Sequence, residues 1–197
     1  MRLGPFVPGE TPIDDVSGIR VKGITTRGEL SKFEAENILK AAMRYLAKRP
    51  TLRIAPFTDT WSLKLHKQMF GEVWKWAGLP RTRDGYNVGQ PFHQISPLLH
   101  GLMDDLKFWC DSGMEFAEQA ARLHHRAVWI HPFVNGNGRW ARLLANIWLR
   151  LHGQPITGWP EPLVGECSTI RDEYIAAVQA ADDGDFAALV SLHRRYG

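Results

Sequence analysis

Two stretches with helical periodicity flank the sequence HPFVNGNGR at positions 131–139. In the first, 114–130, apolar residues share one helix face, and Pro132 predicts its end because proline cannot continue the hydrogen-bond ladder. The second, 140–151, repeats apolar residues at i, i+3, i+4 and i+7, and Gly153 is a natural stop. The chain is therefore predicted to fold around two core helices joined by a short loop. His131 lies at the exit of the first helix.

The loop and the start of the second helix have the composition of an anion site. Gly136 and Gly138 permit positive φ and a close approach of the backbone to a ligand. The first amides of the helix have no intrahelical acceptor and favour an anion. Arg139 and Arg142 share a face there, and His131 is a candidate general base because its reference pKa of roughly 6.5 is near working pH. This layout is typical of a site that holds a nucleotide phosphate and activates a hydroxyl.

Other interpretations of the same residues are weaker. Residues 136–141 fit a dinucleotide-binding GxGxxA pattern, but that motif needs a preceding strand, and here a helix precedes it. A P-loop needs lysine and then serine or threonine after its last glycine, whereas Arg139 and Trp140 follow here. Residues 131–142 taken alone also fit a plain turn between two core helices with surface arginines.

Residues 131–142 resemble the Fic (Fic/Doc) family signature HxFx(D/E)GN(G/K)Rxx(R), and the likeness extends over about residues 30–195. The segment LHKQMFGEVWKWAGLPR at 65–81 looks like the family's helix before its flap, and RTRDGYNVGQPFHQI at 81–95 looks like the flap. YIAAVQAADDGDFAALVSLH at 174–193 resembles the closing helices. The likeness is greatest to the bacterial subgroup called mobile mystery protein B. Matching signature positions are His131, Phe133, Gly136, Asn137, Gly138, Arg139 and Arg142.

The resemblance implies an all-α fold, a Fic-type helical bundle with a small β-hairpin flap near the active site. Residues 1–29 are expected to form an extended arm and 30–197 a single domain. Within it, 30–48 is the candidate inhibitory helix, 81–95 the flap, and 131–142 the active-site loop and helix start.

By the same resemblance the chain is a protein adenylyltransferase that moves AMP from ATP to a Ser, Thr or Tyr hydroxyl of a target protein. His131 would take the hydroxyl proton, and amides around Gly136–Gly138 would stabilise the α-phosphate. Asn137 and Arg139 would hold phosphates, and Arg142 the γ-phosphate. The family usually has Asp or Glu at the position of Asn135, so Asn135 is expected to ligate Mg²⁺ only weakly.

The flap is expected to present its main chain to an extended target segment. Asp84-Gly85 is a hairpin-turn dipeptide, and Tyr86 and Asn87 either cover the nucleotide or belong to a solvated loop.

Many Fic proteins carry an inhibitory glutamate that pairs with the second signature arginine, in the pattern (S/T)xxxE(G/N). Glu36-Asn37 matches the end of this pattern, although Lys32 replaces Ser or Thr, so Glu36 is expected to pair with Arg142. Glu36 lies opposite the helix's apolar stripe, which also fits a solvated glutamate. Glu34 projects toward that stripe and is the alternate inhibitor, although it also fits a capping box with Ser31.

Composition fits one soluble domain, since 197 residues with 44% hydrophobic side chains can fill one core. No apolar run reaches the roughly 18 residues of a membrane span, and the N-terminus lacks a signal peptide's apolar region. Cys110 and Cys167 do not make a disulfide framework, which predicts a cytoplasmic location. A dispersed net charge of +3 argues against direct nucleic-acid binding, and the histidines lack zinc-site spacing.

Two rival functions stay open. The same site fits removal of AMP from a modified protein or use of another nucleotide. Asn135 instead favours a non-catalytic binding or antitoxin-like module. The subgroup resemblance also implies a helix-turn-helix partner protein.

Overall fold

A computed structural model of the protein describes residues 18–84, 89–160 and 169–197. Helices account for most of these residues. A 3₁₀ turn at Phe92–Gln94 precedes α3. The helices are α1 (Arg27–Leu46), α2 (Asp59–Phe70), α3 (Ile95–Asp111), α4 (Phe116–Ile130), α5 (Asn137–Leu151), α6 (Thr169–Asp182) and α7 (Ala187–Arg195).

Helix α1 begins inside the predicted N-terminal arm. Thr26 is its N-cap, and Thr26 and Glu29 form a complete capping box in which each side chain accepts from the other residue's backbone. The box predicted from Ser31 and Glu34 does not cap the helix, because both residues lie within it. The earlier part of the predicted arm, residues 1–17, lies outside the described residues.

The centre of the molecule is the packing of α4 on α5, with α1, α2 and α3 around them. Trp140 is fully buried and donates its indole N–H to the Ser62 carbonyl on α2 at 3.0 Å. Trp148, also buried, donates to the side chain of Gln119 on α4 at 3.0 Å. Each indole therefore buries a large apolar surface while its polar atom is satisfied. Both residues lie on the apolar stripe predicted for α5.

Helices α6 and α7 pack on the outer side of α4, where Ala177, Leu189 and Leu192 form a smaller apolar cluster. The all-α prediction is confirmed. The part of the chain that the structure describes contains no strand, only an isolated bridge between Ile19 and Trp74. The predicted flap turn was Asp84-Gly85, and Gly85 and residues 86–88 lie outside the described residues. No described helix is both long and apolar enough to cross a membrane.

Candidate functional site

His131 lies where α4 ends, as its position before Pro132 predicts. It is the C-cap of α4 and adopts a left-handed backbone with φ of 51°. Its Nδ1 is 3.3 Å from the Val128 carbonyl oxygen, which can only accept, so Nδ1 carries the proton. Nε2 is then the unprotonated nitrogen, and it has no hydrogen-bond partner among the described residues. The ring therefore keeps the lone pair that a general base needs.

The imidazole of His131 is nearly buried, with 9% of the residue exposed. Burial lowers its pKa to about 4, the Val128 carbonyl opposes this, and the positive charge of Arg81 lowers the pKa further. At neutral pH the histidine is therefore uncharged and able to accept a proton.

The loop between α4 and α5 is closed by Asn137. Its side-chain oxygen accepts from the Phe133 amide and its side-chain nitrogen donates to the Phe133 carbonyl, each at 2.9 Å. Both polar atoms of this buried amide are used by the loop itself. These contacts give the Asn137 side chain the role of fixing the loop, and the expectation that Asn137 holds a phosphate stays a prediction.

His66, on α2, supports the loop from beneath, and no function was expected for it from the sequence. Its Nδ1 accepts from the Gly78 amide at 2.9 Å, so its Nε2 carries the proton and donates to the Asn135 carbonyl at 3.0 Å. The ring stacks on Phe133 with centroids 3.6 Å apart. Burial lowers the pKa of His66 to about 3, which keeps this neutral tautomer at physiological pH.

The start of α5 forms an open anion site. Gly136 is its N-cap with φ of 80°, and no side chain caps the helix. The first internal bond runs from the Trp140 amide to the Gly136 carbonyl at 2.9 Å, so the amides of 137–139 have no acceptor within the helix. Gly138 is helical rather than left-handed, and the space where a β-carbon would be is open.

Glycine at position 136 is required for two reasons. A β-carbon there would lie 2.6 Å from the Phe70 ring and 3.2 Å from Nε2 of His66. The left-handed backbone would be strained for any residue with a side chain.

Arg139 projects from the first turn of α5 and is held by Glu34. Its guanidinium is 2.5 Å from one carboxylate oxygen of Glu34, and the Trp74 indole donates to the other, also at 2.5 Å. Glu34 is buried, with 4% of the residue exposed, while Arg139 also lies over the Phe70 ring at 4.9 Å. The carboxylate of Glu34 is therefore bound to Arg139, the arginine that was expected to bind a phosphate.

The structure corrects the expected pairing of Glu36 with Arg142. Glu36 is exposed on the outer face of α1, and its charge acts on Lys40, one turn further along the same helix. Glu34 rather than Glu36 faces the arginines, and it contacts Arg139 rather than Arg142.

Arg142 lies over Tyr174 of α6, with its guanidinium carbon 5.8 Å from the ring centroid. The hydroxyl of Tyr174 lies 3.0 Å from Nε2 of His124. The chain continues from His124 to His193 at 3.3 Å and from His193 to Thr157 at 2.8 Å. Burial lowers the pKa of both histidines, so both are neutral. Each ring therefore has one nitrogen that donates and one that accepts, as a chain of hydrogen bonds requires.

Asn135 offers one neutral side-chain oxygen at the site. That oxygen lies 2.5 Å from the Gly136 amide and 3.4 Å from the Arg139 guanidinium. The described residues contain no group of three or more acidic, histidine or cysteine side chains able to hold a metal ion. These donors fit a Mg²⁺ ion only if it takes most of its ligands from a nucleotide's phosphates and from water.

Arg81 is buried and donates to the His131 carbonyl at 2.8 Å, a contact that the sequence did not indicate. The three residues expected to dock a target, Gly85, Tyr86 and Asn87, lie outside the described residues.

An all-α domain that places a histidine, a glycine-rich loop and two arginines at one helix start defines a narrow class of site. Residues 56–149 match the Fic/DOC family model. A relative that is 30% identical over 77% of this chain extends the match, so the chain belongs to that family, as the resemblance predicted. The mobile mystery protein B subgroup stays a prediction.

Known relatives agree with this assignment. The chain is 34% identical to protein adenylyltransferase fic-1 of Caenorhabditis briggsae over 134 residues, which are 65% of this chain and 25% of that protein. It is 30% identical to protein adenylyltransferase Fic of Aedes aegypti over 156 residues, 77% of this chain and 30% of the other. The chain therefore spans less than a third of these relatives' length.

Solved structures support the same fold. Fic-1 (residues 134–508) from C. elegans has a TM-score of 0.69 and 26% identity over 92% of this chain and 52% of that one. BepC of Bartonella tribocorum, determined with bound AMPPNP, has a TM-score of 0.65 and 18% identity over 88% and 89% of the two chains.

Proposed function

We propose that this protein transfers AMP from ATP to a Ser, Thr or Tyr hydroxyl of a target protein. The observation that carries the proposal is the state of His131, which is neutral with an unpaired Nε2, beside the uncapped start of α5. A base next to a cluster of free amides is what a hydroxyl needs to attack a phosphate. Relatives named protein adenylyltransferases, at 30–34% identity, support this choice of reaction.

In the proposed reaction Nε2 of His131 takes the proton of the target hydroxyl. The hydroxyl oxygen forms a bond to the α-phosphorus, the bond from that phosphorus to the bridging oxygen breaks, and pyrophosphate leaves. The amides of 137–139 hold the negative charge that builds on the α-phosphate oxygens. Arg142 binds the outer phosphates, and Arg139 joins it when Glu34 is displaced.

Mg²⁺ would enter with ATP and would neutralise phosphate charge, with the side-chain oxygen of Asn135 as the protein ligand that would help hold it. We further propose that Glu34 is autoinhibitory, because it competes with a phosphate for Arg139. A helix-turn-helix partner stays a prediction from the subgroup resemblance.

Incubation with α-labelled ATP and Mg²⁺ tests the proposal, with label on the protein itself as the readout. Wild type and His100→Ala should be labelled, because His100 is exposed on α3. His131→Ala should lose at least about 10²-fold in rate, the contribution of a general base, while it binds ATP within a few fold.

The other outcomes separate the rival functions. ATP binding without label in any variant, together with release of AMP from a modified substrate, would replace transfer with removal of AMP. Absence of ATP binding in the wild type would favour a non-catalytic module.

A further inference from the structure

All three guanidinium nitrogens of Arg81 donate hydrogen bonds within the protein. With 5% of the residue exposed, it donates from Nε to the His131 carbonyl at 2.8 Å and from Nη2 to the Gln90 carbonyl. Nη1 lies 3.0 Å from the carboxylate of Asp84 and 3.3 Å from the Arg83 carbonyl. The planar guanidinium presents several donors in fixed directions and can bond to all of these acceptors. A lysine has a single nitrogen and could not reach all of them.

Through Arg81 these contacts connect residues 83 and 84 with residue 90, which lie on the two sides of the predicted flap turn in segment 82–90. The backbone of Arg81 donates to the Pro132 carbonyl at 2.9 Å, and the Phe92 amide donates to the Asp84 carboxylate at 2.8 Å. Both ends of the segment are therefore anchored beside His131 and Pro132.

Gly89, in the same segment, packs closely against the side chain of His131. Gly89 has φ of 98°, and a β-carbon there would lie 2.5 Å from the Cβ of His131 and 3.1 Å from the Arg81 guanidinium. His131 has a left-handed backbone at φ of 51°, a conformation that is strained for a residue with a side chain and persists only where its surroundings impose it. The carbonyl bond from Arg81 and the packing of Gly89 are two such constraints.

We propose that Arg81 is a positioning residue that fixes the peptide of His131 and connects it to Gln90 in the predicted flap. The proposal rests on the proposed transfer reaction, in which His131 is the base. Through its two carbonyl contacts Arg81 holds the peptide of His131 next to Gln90 and so fixes where the imidazole lies. Arg81 acts through His131 and contacts no reacting atom.

Two substitutions separate the geometry of Arg81 from its charge. Arg81→Lys keeps the charge but cannot bond to all the acceptors. Arg81→Gln removes the charge but keeps a donor. Self-labelling at saturating ATP should fall about 10²-fold in Arg81→Lys, the typical cost of a misplaced catalytic group, while the half-saturating ATP concentration stays within a few fold. Arg49→Ala is the matched control, because Arg49 donates its Nε to the Leu151 carbonyl at 2.9 Å, remote from His131.

The pKa of His131, measured by NMR titration of the imidazole, is a readout that a merely structural role would not move. Arg81 is the charged side chain that lowers this pKa among the described residues, in addition to burial. The pKa should rise in Arg81→Gln, stay near the wild-type value in Arg81→Lys and be unchanged in Arg49→Ala.

The two hypotheses fail separately. Unlabelled wild type with the expected NMR shifts would reject the transfer reaction and leave the contact of Arg81 with His131 supported. Labelled wild type with unchanged rate in Arg81→Lys and unchanged pKa in Arg81→Gln would overturn the role of Arg81. If Arg81→Lys and Arg81→Gln both lost ATP binding as well as labelling rate, the positioning role would also be overturned. That result would indicate a general loss of structure.

Discussion

Glu34 and Glu36 are two residues apart on α1, which rotates their side chains by roughly 200° about the helix axis. The family pattern favoured Glu36, whereas helical periodicity put Glu34 on the face of the apolar stripe. The structure follows the periodicity, because the helix face decides which carboxylate is buried against Trp74 and the start of α5. The sequence could not indicate that Trp74 and Arg139 share this carboxylate, since both contacts depend on tertiary packing.

Glu34→Gln should increase the apparent affinity for ATP. Charge-assisted hydrogen bonds contribute about 1.5–3 kcal/mol, so freeing Arg139 should lower the half-saturating ATP concentration about tenfold or more. Glu36→Gln is the matched control, since Glu36 is exposed on the same helix. ATP titrations of self-labelling in the two variants measure the difference, and equal values would reject inhibition by Glu34.

The two polar residues that most constrain the loop, His66 and Arg81, were not assigned a role from the sequence. His66 lies in an otherwise ordinary helix, and Arg81 follows a tryptophan-rich segment without a recognisable local motif. Both act through main-chain carbonyls of residues about 50 to 70 positions away. Periodicity reveals which side chains face inward, but not which distant carbonyl each will meet.

At the scale of elements, the helices with a strong stripe were predictable. Helix α4 ends at Ile130 before Pro132, and α5 ends before Gly153, which has φ of 73°. The start of α1 was placed three residues too late, because Thr26 and Glu29 form a capping box as suitable as the one assigned to Ser31 and Glu34. Local capping patterns recur along a chain, and packing selects among them.

Helices α4, α6 and α7 together fix Arg142 of α5, and this arrangement predicts the effect of removing one hydroxyl. Tyr174→Phe removes the hydroxyl of the ring that Arg142 lies over and leaves Nε2 of His124 without its partner, at about 1–3 kcal/mol for this buried group. ATP binding should weaken about tenfold, whereas AMP binding, which does not use Arg142 in the proposed reaction, should change little.

Calorimetric titration with ATP and AMP checks this prediction. Tyr45→Phe is the control, because Tyr45 is also buried and donates its hydroxyl to Gln68 at 2.8 Å, in the contact between α1 and α2. Equal losses for ATP and AMP in Tyr174→Phe would show that Tyr174 supports the fold rather than the position of Arg142.

At the scale of the whole molecule, buried neutral histidines link the site to the stability of the fold. Four histidines, His66, His124, His131 and His193, are at least nine-tenths buried and have a lowered pKa. His66 supports the loop, His131 is the candidate base, and His124 and His193 belong to the chain that begins at Tyr174 beside Arg142. The neutral form lets Nδ1 of His66 accept from the Gly78 amide and leaves Nε2 of His131 unprotonated.

Because of these histidines the protein should lose stability as the pH falls below about 6.5. In the unfolded chain they bind protons near a pKa of 6.5, whereas in the folded state the pKa is about 3 for His66 and His193 and about 4 for His131. The unfolded state therefore binds more protons across this window, so stability is full above about pH 6.5 and declines toward pH 4. Each histidine removes about 1.4 kcal/mol per pH unit, so these three together cost about 4 kcal/mol at pH 5.5.

Urea unfolding at pH 7.5 and 5.5 measures this loss. His66→Gln, which keeps a donor for the Asn135 carbonyl, should reduce the pH dependence by about one histidine's share. An equal free energy of unfolding at the two pH values would mean that these histidines become protonated in the folded protein without cost, which would contradict the neutral tautomers on which both the loop and the base depend.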